Sequence, residues 1–306
     1  MKLIEIYDEY IDYISLKNKM TTVKCTKYKF KNYILSYFKN YDIDKITVQD
    51  YINFQLKLKK LNYSKEFYDH IHSNMVSLFN FLNLKYGIAN IPMQLGKMQF
   101  SSNSYCEEER KTWTNSEYKH FIKHVDNKIY HALFNLLFYT GLRKGEALAL
   151  SINDLNKGYI TVNKTITKEY YNGKRQLLTP KSKNSIRKIK IDLFLNFELK
   201  KLIKYYKKNY SNFNDDFFLF GGDKPIATTT LDRKKNEYCK KANITPIRIH
   251  DFRHSHATML YNKKIKIKTI QKRLGHADIS TTLNTYVHPN DKEEKKLIKK
   301  INFTRL

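Results

Sequence analysis

The sequence predicts a mainly α-helical protein with a small β-sheet, divided into an all-helical N-terminal unit and a larger mixed α/β unit. Three observations carry this prediction. Only 9 Gly and 5 Pro punctuate 306 residues, so helices can run long without breakers. Apolar residues recur at helical rather than alternating spacing through the first 86 residues. The periodicity then fades between Ile88 and Lys111, where Pro92, Gly96 and the polar run SSNSYCEEER read as a linker, before new helical and short β-type patterns begin. A chain of this length also exceeds what one small domain needs.

Taken in order, four helices are expected in the first unit, over Leu3 to Leu16, Val23 to Phe38, Thr47 to Leu61 and Ser64 to Tyr86. Thr47 and Ser64 are N-cap residues by type and position, and Gly87 is the stop after the fourth helix. Ile71, Met75, Leu78, Phe79 and Leu82 fall on one stripe of that helix and read as core. After the linker, Thr114 and Glu117 have the spacing of a capping box, and a second helix runs from about Lys128 to Tyr139. Short β-type segments follow at Tyr159 to Val162 and Ile186 to Ile191, with Asn172-Gly173 as the hairpin turn between them, and helices dominate from there to the end. No internal repeat and no glycine-rich phosphate loop is found, Gly221-Gly222 being too little for one.

Charge points to a polyanionic partner. There are 57 Lys and Arg against 29 Asp and Glu, a formal net charge of +28, far beyond what solubility requires. The abundance of Lys, Asn, Ile and Tyr is also what AT-rich coding DNA imposes, so part of this surplus reflects composition. Residues 1 to 100 hold 15 Lys, no Arg and 9 acidic residues, a surplus of +6, which leaves +22 for the remainder. Arginine is scarce, with nine in the chain, so each one is a candidate for a place that Lys does not serve. Cys25, Cys106 and Cys239 are too far apart for a CxxC metal or redox site and fit a reduced cytosol. No run of about 18 apolar residues occurs, so neither export nor membrane spanning is expected, and the expected location is cytoplasmic, with the nucleoid.

Three stretches of the second unit carry chemistry: Thr140-Gly141-Leu142-Arg143-Lys144-Gly145-Glu146, then His250-Asp251-Phe252-Arg253, then Leu274-Gly275-His276 with Tyr286 ten residues further on. Singly each is weak; their order and separation together carry weight. In TGLRKGEALAL, TPKSKNSIRKIKI, HDFRHSHAT and LGHADISTTLNTYVH the sequence resembles the tyrosine recombinase family, the phage integrase type of site-specific DNA recombinase. These match the family's first arginine box, its lysine-bearing β-hairpin, its His-x-x-Arg box, and its final His and nucleophilic Tyr.

The resemblance implies a helical core-type DNA-binding domain at residues 1–90, a linker at 91–112, a catalytic domain at 113–290 and a C-terminal tail helix at 291–306. Where many integrases carry an arm-binding domain first, this chain opens almost directly into core-binding-like helices. The implied catalytic residues are Arg143, Lys181, His250, Arg253, His276 and the nucleophile Tyr286, with Glu146 in support. The implied partners are double-stranded DNA bearing specific recombination sites, further copies of the chain in a tetramer on two sites, and accessory DNA-bending proteins of host or element. Integration or excision of a phage or mobile element is the leading role and chromosome-dimer resolution the alternative. A type IB topoisomerase and a non-catalytic DNA-binding regulator are the competing classes.

The chemistry of a phosphodiester asks for these residue types independently of the name. The pentacoordinate state concentrates negative charge on the non-bridging oxygens, and fixed cations must meet it. The guanidiniums of Arg143 and Arg253 offer planar forks that stay charged at any working pH. A phenol of pKa about 10 is ionised to roughly one part in a thousand at pH 7, so Tyr286 needs a base, for which His250 is the candidate. His276 can bond the phosphoryl oxygens or share the base role. The leaving 5′ oxygen needs a proton, and Lys181 is assigned to deliver it, with Lys183 and Lys174 near enough in sequence to be mistaken for it. Glu146, one turn after Arg143, either orients that arginine or is a solvated helix carboxylate. No cofactor is expected. His120 with His124, and His250 with His254 and His256, invite metal readings, but neither group has a third ligand of recognisable spacing that is not otherwise employed, so no metal is expected.

Overall fold

The computed structural model describes residues 1–99, 111–171, 174–179 and 185–275. Two compact units emerge from the backbone, Met1–Glu108 and Glu109–Leu306. No helix among the described residues is long and apolar enough to cross a membrane.

The first unit is helical: α1 (Leu3–Lys17), α2 (Met20–Lys29), a π-helical turn (Phe30–Ile34), α3 (Leu35–Phe38), α4 (Val48–Lys59), α5 (Lys65–Tyr86) and α6 (Ile91–Leu95). Its caps follow local chemistry. Thr47 and Asp50 exchange the two bonds of a capping box, Ser64 accepts from the Phe67 N–H, and Gly87 ends α5 in the left-handed conformation at φ 71°. The predicted stripe of Ile71, Met75, Leu78, Phe79 and Leu82 is buried, joined by Tyr10, Phe30, Phe38 and Phe54 in one aromatic-rich core. Full burial of each such side chain stabilises by about 1.5–3 kcal/mol, which fixes these short helices against one another. Within the stretch read as linker, Asn90 caps α6, and Ile88, Ile91 and Met98 pack against this core.

The second unit contains α7 (Asn115–Lys123), α8 (Lys128–Thr140), α9 (Lys144–Ala149), β1 (Leu155–Asn156), β2 (Tyr159–Val162), β3 (Thr165–Tyr171), β4 (Lys174–Leu178), β5 (Arg187–Lys190), α10 (Leu193–Asn209), α11 (Thr228–Lys241), α12 (Ile249–Asn262) and α13 (Ile267–Leu274). Strands β1, β2 and β5 form one antiparallel sheet in that order, with Val162 opposite Arg187 and Tyr159 opposite Lys190. Lys157 and Gly158, at φ 45° and 77°, make the two-residue turn joining β1 to β2, the left-handed pair that matches strand twist. The two predicted strands do pair. They are not the two arms of one simple hairpin, because a second two-stranded sheet of β3 and β4 is inserted between them, with Tyr171 opposite Lys174. Asn172-Gly173 itself lies outside the described residues, as does the tail from 276 onward.

Helix α8 is the axis of this unit, buried from Ala132 to Phe138, with α10 and α12 packed against it. The single Trp, Trp113, is buried at the unit's start, its N–H donating to Ser255 Oγ at 2.9 Å and its indole N–H to the Thr245 carbonyl at 3.0 Å. Its ring contacts Phe121 and Phe252, so the helix that carries the histidines is held from the N-terminal side of its own unit.

Candidate active site

Arg143 is set by a local device. It is the N-cap of α9, its backbone N–H donates to Glu146 at 2.9 Å, and its guanidinium returns to the same carboxylate at 2.9 Å. Glu146, three residues on, closes the first helical turn. It is only 3 % exposed, so it orients Arg143 rather than standing solvated. The same device opens α12, where Arg248 donates from its backbone to Asp251 at 3.0 Å and lays its guanidinium across both carboxylate oxygens. Each N3 carboxylate also complements the positive end of its helix.

Arg253, one turn further along α12, is 1 % exposed and donates from Nη1 to the Gly141 carbonyl at 2.9 Å. Gly141 ends α8 at φ 67°, and a side-chain carbon there would lie 2.7 Å from Leu274 Cδ2 and 2.8 Å from the His256 ring. The glycine thus serves both the turn and the close approach of α12 and α13 to α8. Gly141→Ala is expected to cost about 2–4 kcal/mol, combining a left-handed backbone with overpacking, and to lower the melting temperature by roughly 5–15 °C. An unchanged thermal melt would show that the contact yields freely.

His250 lies at the start of α12, exposed on one side. Partial burial of its ring, then the positive charges of Arg253, Arg143 and Arg248, lower its pKa below the ordinary histidine value, with Asp251 opposing. It is therefore neutral at pH 7, the form a proton acceptor requires. Arg143 and His250 share a cleft of about 580 Å³ with Lys144, Lys235, Arg248 and Asp232. Arg143 and His250, 107 residues apart in sequence, are thereby brought to one place, and Arg253 follows His250 by three residues on α12. Lys181, His276 and Tyr286 lie outside the described residues, as does Lys183; Lys174 opens β4.

The histidines read as metal candidates are otherwise engaged. His120 bonds the Ala242 carbonyl at 2.8 Å and His124 the His120 carbonyl at 2.9 Å. His256 accepts from Arg273 Nε at 3.2 Å, and burial together with that guanidinium pushes its pKa down to about 3.

Three basic residues of the site escape the sequence reading. Arg187 on β5 and Arg273 on α13 tie the sheet and the last described helix into the site. Lys235 on α11, 5 % exposed, donates to the Ile247 carbonyl just before α12, and burial lowers its pKa. The scarcity of arginine was the available signal for the first two; nothing distinguishes Lys235 among 48 lysines.

Comparison with known proteins gives the family. The model of the phage integrase family matches residues 111–293, and that of the phage integrase N-terminal SAM-like domain matches residues 2–59. The chain is 28 % identical to the ICEBs1 integrase of Bacillus subtilis over 96 % of its own length and 80 % of that protein. It is 26 % identical to the integrase of Staphylococcus phage L54a, over 97 % and 91 %. A structure of the Tn1549 transposon integrase in complex with circular intermediate DNA superposes with a TM-score of 0.78 at 20 % identity, covering 98 % of this chain and 100 % of that one, and so shares its fold. With more than half of the chain matched by the catalytic-domain model and the arginine boxes folded onto one cleft, the protein belongs to the phage integrase family of tyrosine recombinases, enzymes that cleave and rejoin DNA.

Proposed function

We propose that this recombinase serves a mobile element, integrating and excising it at specific sites through a 3′-phosphotyrosyl intermediate formed on Tyr286. The observation that carries the chemistry is the cleft shared by Arg143 and His250, with Arg253 one turn along α12 from that histidine. Two fixed guanidiniums meet the charge that develops on the non-bridging oxygens. His250 accepts the phenol proton as the Tyr286 oxygen forms its bond to phosphorus. The bond from phosphorus to the 5′ oxygen breaks, and that oxygen takes a proton from Lys181, while His276 bonds the phosphoryl group. Phosphoester energy is kept in the adduct, so a second 5′ hydroxyl can reverse the step without ATP or an added metal ion.

Support for the element-borne role comes from the relatives, named as integrases of ICEBs1 and of a phage and as transposase A of transposon Tn554. Assembly as a tetramer on two DNA sites, assisted by DNA-bending proteins of host or element, belongs to the same reading, with residues 1–90 and 113–290 as its two DNA-binding domains. The strong positive charge supports it, since Lys and Arg neutralise backbone phosphates.

The test is a duplex carrying the element's junction sequence with a nick beside the exchange point, which traps the cleaved strand. Wild-type protein is expected to give a denaturation-resistant adduct whose DNA-linked peptide contains Tyr286, and two such duplexes to recombine. No adduct, or relaxation of supercoiled plasmid without two-site recombination, overturns the reading.

A further inference from the structure

We propose that Arg187 is a positioning residue of the cleavage reaction, a buried fork that holds the hairpin segment, the first arginine box and the end of α13 in one arrangement. The proposal rests on the covalent reading given above. The Arg187 side chain is 7 % exposed, and its donors go to three places. Nη2 and Nη1 donate to the two oxygens of Glu146 at 2.9 and 3.2 Å, Nε donates to the Arg273 carbonyl at 2.8 Å, and Nη1 also reaches the Ser185 carbonyl at 3.0 Å.

Each of those places lies within four residues in sequence of a group assigned to the reaction. Glu146 uses the same two oxygens to hold the backbone and guanidinium of Arg143. Ser185 follows Lys181 by four residues, and Arg273 precedes His276 by three. Arg273 in turn donates to the carbonyls of Lys190 and Tyr139 and to His256, so the fork is braced by β5, α8 and α12. Only a guanidinium can bond a carboxylate with two parallel donors and a peptide carbonyl with a third; an ammonium presents its donors from one point.

The arrangement makes a pH signature. Glu146 faces Arg143 from its own helix and Arg187 from β5, with Arg273 behind Arg187. Burial raises the carboxyl's pKa, and the Arg187 bonds and charge, followed by those of Arg143, more than offset that and bring it below the usual carboxylate value. Without Arg187 the buried carboxyl keeps one guanidinium, its pKa rises, and protonation removes an acceptor from Arg143. Cleavage by an Arg187→Met variant should therefore climb with pH through a range in which the wild type's Glu146 is fully ionised.

The experiment measures single-turnover adduct formation on the nicked duplex between about pH 5.5 and 8.5, with wild type, Arg187→Lys, Arg187→Met and the double variant Arg187→Met with Glu146→Gln. Thermal melting and binding of the unnicked duplex are recorded for each. Arg187→Met is expected to cleave about a hundredfold more slowly than wild type near pH 6 and to recover by about tenfold toward pH 8.5, with duplex binding within about threefold. Arg187→Lys falls between, and the double variant stays slow but loses the added acid limb. A rate loss that runs parallel to wild type at every pH, or that matches only the unfolded fraction, overturns the proposal by reducing Arg187 to a structural contact. Failure of wild type to form an adduct overturns the covalent reading and this proposal with it.

Discussion

Tyr286→Phe is expected to abolish adduct formation on the nicked duplex, a fall of at least about 10⁴-fold, while duplex binding stays within about threefold. The phenylalanine ring keeps the shape and apolar area of tyrosine and removes the one oxygen that can bond to phosphorus. No neighbouring group is assigned to replace it: a histidine or lysine adduct would be acid-labile and would map to a different peptide. The size of the effect follows from what a nucleophile contributes. Its removal ends the covalent route, whereas loss of one electrostatic contact slows that route. Gel shift on the intact site, denaturing gel on the nicked one and peptide mapping of any residual adduct separate the outcomes. An adduct of wild-type yield in Tyr286→Phe would assign the chemistry to another residue.

The second large effect is expected at Arg253. Loss of one transition-state donor costs about 10²- to 10³-fold in rate where the site is shielded from water. In the proposed mechanism Arg253 is that kind of group, and it is nearly wholly buried and aligned on the C-terminal end of α8 through the Gly141 carbonyl. Arg253→Ala removes the charge and leaves that carbonyl without this donor, costing a further about 1–3 kcal/mol of stability. Arg253→Lys keeps the charge and loses the fork. The two variants should therefore differ in melting temperature and share a cleavage loss of at least about a hundredfold. Cleavage by Arg253→Lys at the wild-type rate would show that charge alone suffices and that planar geometry does not matter here.

Much of the architecture is legible in the sequence because its signals are local. The helices from Leu3, Thr47 and Ser64 announce themselves by apolar spacing, and the latter two also by caps whose hydrogen bonds close within three residues. The pair β3 and β4 is not legible: Thr165 to Tyr171 reads T-I-T-K-E-Y-Y, with one aliphatic residue and no alternation to detect. Helix α9 spans six residues, too few for periodicity, and is found through the motif it carries. In the site, Arg143, Glu146, His250 and Arg253 are readable because each falls within a short motif. The bond from Arg187 to Glu146 crosses 41 residues and that from Arg273 to Tyr139 crosses 134, so only folding reveals them. Lys235 is illegible for a different reason, since its identity is common and only its burial sets it apart.

The π-helical turn at Phe30–Ile34 settles a matter of phase. Thr26, Phe30, Ile34 and Phe38 are spaced four apart, and all are buried. In a regular α-helix each four-residue step overshoots a full revolution by about 40°, so such a row would wind away from the interior. The wider π turn absorbs that overshoot and keeps the row facing inward. Excising one residue there would restore ordinary helical winding with the row at mixed three- and four-residue spacing, so Leu35 and Phe38 would keep their inward face. The apparent irregularity is thus one surplus residue taken up within a single turn, which leaves the helix on either side in phase.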